Sequence, residues 1–157
     1  MEKITTCLWF NDEAEEAARF YVSLFPGSKI LQVSQRTEDT PGPKGKALMV
    51  VFSLNGTEIQ ALNGGAAYKL SPAVSLSVSC ETQGEVDRLW EKLGEGGRYI
   101  QCGWLTDRFG LSWQIVPRRL GELLSDPDKG RAGRAMQAML KMVKLDVAEL
   151  ERAAAAA

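Results

Sequence analysis

Histidine is absent from this 157-residue chain. That absence removes the commonest general base near neutral pH and the commonest ligand for transition metals. A Ser-His-Asp triad, a Cys-His pair and an imidazole-bound metal are all excluded. Cysteine is scarce as well. Three residues at irregular spacing fit reduced thiols rather than a disulfide framework. No apolar run approaches ~18 residues, and the opening MEKITTCLWF lacks the layout of a signal peptide. The expected location is therefore the cytoplasm, with no membrane partner. Neither sign of charge dominates: 19 basic and 20 acidic residues leave a formal net charge of −1. Basic residues are scattered apart from a few near the C-terminus, so the stripe that nucleic acid requires is missing.

What is present is ordinary for a globular domain, 45% hydrophobic and 25% charged. A chain of this length buries roughly 68–70% of its unfolded surface and needs no disulfide or metal staple. It fits one domain, or two small halves sharing one core.

Residues 4–10, ITTCLWF, alternate roughly and read as a strand. A helix follows, with Asn11 or Asp12 as its expected cap, Glu15 three places after Asp12, and a stripe of Ala17, Phe20, Tyr21 and Leu24. Pro26-Gly27 ends it. KILQVSQRT is a second strand, EDTPGPKGK a loop, and ALMVVFSLNGTEIQALNGG two strands joined at Asn55-Gly56, a pair that favours a type I′ turn.

The pattern then repeats. AVSLSVSCE is a strand, Thr82 and Glu85 form a capping box, and the next helix carries Val86, Leu89, Trp90 and Leu93. Each member of this stripe lies 69 residues beyond its counterpart in the first. Glycines 94, 96 and 97 close the helix, and RYIQCGWLTDRFGLSWQIVP supplies short strands around an Asp-Arg-Phe-Gly turn. Matching stripe, cap and strand order indicate a tandem β-α-β-β-β repeat, an α+β fold.

FYVSLF on the first helix and DRFGLSWQIVP in the final hairpin resemble the vicinal oxygen chelate, or glyoxalase/bleomycin-resistance, superfamily. With ALNGG, CETQGEVDRLWEKL and CGWLTDRFGLSWQIVP added, the chain is similar to the PhnB-like branch, often labelled a 3-demethylubiquinone-9 3-methyltransferase domain. The resemblance implies paired βαβββ modules over residues 1–117 (about 4–65 and 73–117). A helical tail over 118–157 would pack on that domain or on a dimer partner.

In metal-using members of the superfamily, matching strands of the two modules supply four ligands. The implied positions here are Thr6 and Ser75 on the first strands, fourteen residues before Phe20 and Leu89, and Gln60 and Gln114 on the last. These neutral hydroxyls and amides make a poor set for a divalent cation. No cofactor is predicted, with a divalent metal or S-adenosylmethionine kept as alternatives. The quartet suits a polar small-molecule ligand instead, with Trp104 as pocket wall or core and Asn63 as pocket residue or turn former. Catalytic candidates reduce to Glu58, on the same strand face as Gln60, and Cys102, beside Gly103 and Trp104. Solvent exposure explains Glu58 as well, and packing explains Cys102.

Asp107 and Arg108 read as turn residues or ligand contacts. In the tail, Ala132, Met136, Met139, Leu140 and Val143 form the expected apolar stripe, and Asp146 with Glu149 a further capping box. Exposed sheet edges and this tail point to a homodimer. The expected function is ligand binding without a classical metal. The alternatives are an enzyme (metal-dependent lyase or dioxygenase, or the methyltransferase of the family label) and a non-catalytic protein that sequesters an antibiotic or toxin.

Overall fold

The computed structural model describes residues 3–156; the outermost predicted limits, 1 and 157, lie outside the described residues. The chain divides into two compact units, Met1–Leu70 and Ser71–Ala157. The division after Leu70 falls between the two expected modules, and residues 118–156 belong with the second unit.

The first unit runs β1 (Thr6–Phe10), α1 (Ala14–Leu24), β2 (Lys29–Gln35), β3 (Ala47–Leu54) and β4 (Thr57–Asn63). Its sheet order is β1-β4-β3-β2, with β1 and β4 parallel and the other pairs antiparallel. The β3–β4 hairpin turns at Asn55 and Gly56, whose φ values of 47° and 92° are the positive angles a type I′ turn demands. Helix α1 buries Ala14, Ala17, Ala18, Tyr21 and Leu24, and the Tyr21 ring lies 6.3 Å from that of Phe52 on β3. Phe20, expected in the buried stripe, is only half-buried, and the two extra alanines let the helix approach the sheet closely. Each large side chain sealed here contributes about 1.5–3 kcal/mol.

The expected cap of α1 is not formed. Glu13 occupies the N-cap position without a side-chain bond, and the Ala14 amide donates instead to Asn63 Oδ1 at 2.8 Å. A residue on β4 thus does the work that the sequence assigned to Asn11 or Asp12.

The second unit repeats the order: β5 (Ser75–Cys80), α2 (Gln83–Gly94), β6 (Arg98–Tyr99), β7 (Trp104–Thr106) and β8 (Ser112–Pro117), arranged β5-β8-β7-β6. Here the local cap forms. The Glu85 amide donates to Thr82 Oγ1 at 3.1 Å, and Glu85 Oε2 accepts from the Glu81 amide at 2.9 Å. Val86, Leu89, Trp90 and Leu93 are all buried.

Three helices complete this unit: α3 (Arg118–Leu124), α4 (Lys129–Met139) and α5 (Val147–Ala155). They share a core of Leu120, Leu123, Ala135, Met142, Leu145, Leu150 and Ala154, with Val116 of β8 packed against it. Asp146 caps α5 as expected, accepting from the Glu149 amide at 3.0 Å. The expected stripe holds only in part: Met139 packs on the core and Ala132 is half-buried, whereas Met136, Leu140 and Val143 are exposed and Ala135, Met142 and Leu145 are buried instead. The helix stops at Met139, so a helical period counted through to residue 143 assigns the wrong face. Residues 142–147 are pinned to the module. The Cys102 and Gly103 amides donate to the Met142 and Val143 carbonyls, both at 2.8 Å. The Gln83 side chain bridges the Leu145 carbonyl and the Val147 amide, and Lys144 Nζ lies 2.8 Å from Asp87 Oδ1. Among the described residues, no helix is long and apolar enough to cross a membrane.

Candidate functional site

Successive residues of a strand point to opposite sides, and directly paired residues on neighbouring strands share a side. On β4, Ile59, Ala61 and Asn63 are buried while Glu58, Gln60 and Leu62 are half-buried. Gln60 pairs with Cys7 on β1 and Val51 on β3. Thr6 pairs with Ile59, whose β3 partner is Phe52, on the side that α1 covers. Thr6 therefore faces away from Gln60, and the expected grouping of the two is corrected: Cys7 takes that place. The cause is loop length. Residues 11–13 join β1 to α1, whereas only 81 and 82 join β5 to α2. Counting back fourteen residues from each helix thus lands on opposite faces.

Cys7 is exposed, and partial burial pushes its thiol above the ordinary range. Glu58 shares Gln60's face as alternation implies. Asn63 is 1% exposed. Its Oδ1 accepts from Ala14 and its Nδ2 donates to the Ala47 carbonyl at 2.9 Å. Both ends of its amide are used inside the module, which removes Asn63 from the ligand-binding candidates. The neighbouring Gly64 lies against the Trp9 indole, where a Cβ would collide. Trp9 Nε1 donates to the Gly65 carbonyl at 2.9 Å, and Tyr68 meets the indole edge-on. The NGG run thus seats a tryptophan.

In the second module the last-strand and first-strand candidates do meet. Gln114 Nε2 donates to Ser75 Oγ at 3.0 Å. Gln114 pairs with Ser77 on β5 and Trp104 on β7. The same face carries Ser79, Ser112 and Thr106, and the last two hydroxyls lie 3.4 Å apart. Trp104 is half-buried here, whereas Trp113, one residue before Gln114, is 1% exposed on the opposite side. The sequence reading missed Ser77, Ser112 and Thr106, although alternation from Ser75, Gln114 and Trp104 would have found them.

Asp107 is a turn residue. It is 3% exposed; its Oδ1 accepts from the Phe109 and Leu111 amides, and its Oδ2 from Trp113 Nε1 at 2.9 Å. Arg108 stacks over Phe109 at 4.5 Å. Cys102 sits in a turn before β7, half-buried, with φ of 61°, rather than in a strand. Cys80 is fully buried. Burial, with Glu85 adding and Arg88 opposing, pushes its thiol up to about 12, so it carries no thiolate at neutral pH.

The superfamily's metal asks for anionic or imidazole donors. Gln60, Ser75 and Gln114 offer an amide, a hydroxyl and an amide, and Thr6 faces elsewhere, so the residues do not fit that metal. Among the described residues, no three His, Cys, Asp or Glu side chains gather in a way that could hold a metal ion. Nor do they form a dinucleotide-type cradle for S-adenosylmethionine, since Asn63-Gly64-Gly65 is followed by no helix.

Two βαβββ modules in tandem, each with a mixed four-stranded sheet, define an α+β protein with the paired modules that the sequence resemblance implied. The chain belongs to the 3-demethylubiquinone-9 3-methyltransferase family, whose model matches residues 2–116. A Bacillus cereus PhnB protein carrying that methyltransferase label is 38% identical, with a TM-score of 0.69 over 74% of this chain and 99% of its own. A Pseudomonas aeruginosa protein, 23% identical with a TM-score of 0.61 over 74% of this chain and 98% of its own, shares the fold. No curated protein matches the chain. The family model stops just short of α3, so the tail lies beyond it.

Proposed function

We propose that the protein is a PhnB-like binder of an uncharged polar small molecule, working without a catalytic metal. The observation that carries this reading is the Gln114–Ser75 hydrogen bond, set in a face of hydroxyls beside Trp104. Serine and threonine hydroxyls and a glutamine amide can donate and accept without charge, and a tryptophan adds an apolar wall. Gln60 offers the same chemistry on the first module. All three cysteines are free thiols, which supports a cytoplasmic setting, and exposed sheet edges support a homodimer.

The test is thermal unfolding of chelator-treated protein against neutral polar metabolites, divalent metals and S-adenosylmethionine. A ligand at ~100 times its Kd adds about 2.7 kcal/mol, or roughly 5–11 °C for a chain of this size. A shift from a neutral compound that disappears in Gln114→Leu is the expected result. A shift from a metal or S-adenosylmethionine alone, lost in the same variant, overturns it in favour of the enzyme implied by the family label. Stoichiometric binding without product would assign the protein to sequestration.

A further inference from the structure

The tail contains a groove of about 970 Å³ between α4 and α5. Four cationic residues line it, Lys129, Arg134, Lys141 and Arg152, against the single carboxylate of Glu149. Arg134 is held in place, its Nε and Nη2 both donating to the Ala154 carbonyl at 3.2 and 2.8 Å. The Glu149–Arg152 pair is long, 3.8 Å, and both side chains are more than half exposed, so it neutralises little. The groove thus has a net positive lining in a chain whose overall charge is −1.

Small residues make up part of its lining. Gly133 lies inside α4, where glycine is destabilising relative to alanine. A Cβ built there meets nothing within 4 Å, so neither a neighbour nor a turn requires the glycine. Alanines 138, 153 and 156 also line the groove. Gly133 thus leaves room in a groove whose lining is mostly cationic among its charged residues.

We infer that this groove docks an acidic helical segment of a partner protein. Small residues let a backbone approach closely, and the rim cations meet carboxylates on the incoming helix. A nucleic acid fits less well, because no aromatic side chain lines the groove to stack a base. The inference is independent of the ligand face on β5, β7 and β8, since it uses only residues beyond the family model's last matched position.

The test is fluorescence anisotropy of the full chain with a labelled Ala/Glu helical peptide of about fifteen residues, beside a Lys counterpart and an oligothymidylate. The acidic peptide alone should bind, weakening as salt rises. Lys141→Glu with Arg152→Glu should reduce binding roughly tenfold or more. Gly133→Leu should do the same while its melting temperature stays level or rises, which separates a filled groove from a damaged fold. Gly121→Leu on α3, where a Cβ also meets nothing within 4 Å, should leave binding unchanged. Equal binding by wild type and Gly133→Leu overturns the groove. Tighter binding of the oligothymidylate overturns the peptide, and no binding of the peptide overturns the proposal outright.

Discussion

The two modules share strand order and helix stripe but begin their helices by different means. In the first, the α1 start is held from β4, 49 residues away in sequence, by Asn63. In the second, Thr82 and Glu85 hold the start of α2 locally. The second module's buried carboxylate, Asp107, is spent on its hairpin turn and on Trp113. A duplicated fold therefore keeps its apolar pattern while the polar side chains that fasten it differ. The faces that carry the two glutamines differ too. Gln60 stands between Cys7 and Val51, whereas Gln114 stands among serines and Trp104.

This contrast can be broken most sharply at Asp107. Asp107→Ala strands two amides and an indole N–H, and should cost about 3–5 kcal/mol in chemical denaturation. A loss below about 1 kcal/mol would show that water replaces the carboxylate. Asn63→Ala strands the Ala14 amide and the Ala47 carbonyl and should cost about 2–4 kcal/mol. Amide exchange should then rise first at the start of α1. Thr82→Ala removes a cap at an exposed helix start and should cost about 1 kcal/mol. If Thr82→Ala proves as damaging as Asn63→Ala, the distinction between local and remote fastening fails.

The smallest effect concerns pH. Hydrogen bonds from Lys144, then Gln83, hold the Asp87 carboxyl below its ordinary value of 3.8. A depressed carboxyl adds stability above its unfolded value and loses it as pH falls through the folded one. Both side chains of the pair are over 40% exposed, so the contribution is slight. NMR titration should place Asp87 below 3.8, and Lys144→Ala should move it upward.

Strand order, the repeat and the second helix cap were legible in the sequence because they depend on local periodicity and near-neighbour spacing. The Asn63 cap was not, since it joins residues that only the folded sheet brings together. Thr6 failed for a subtler reason: a one-residue difference between connecting loops reverses which side a strand position faces. Gln114 and Ser75 lie together because the count back to Ser75 lands on the β5 face that Gln114 shares. The tail misled because one helical period was continued past Met139, where the helix stops.

The anchoring of residues 142–147 has one more consequence. Met142 contributes its side of the groove between α4 and α5, while its carbonyl holds the amide of Cys102, two residues before Trp104. The segment that lines the groove is thus tied by backbone hydrogen bonds to the turn that precedes β7.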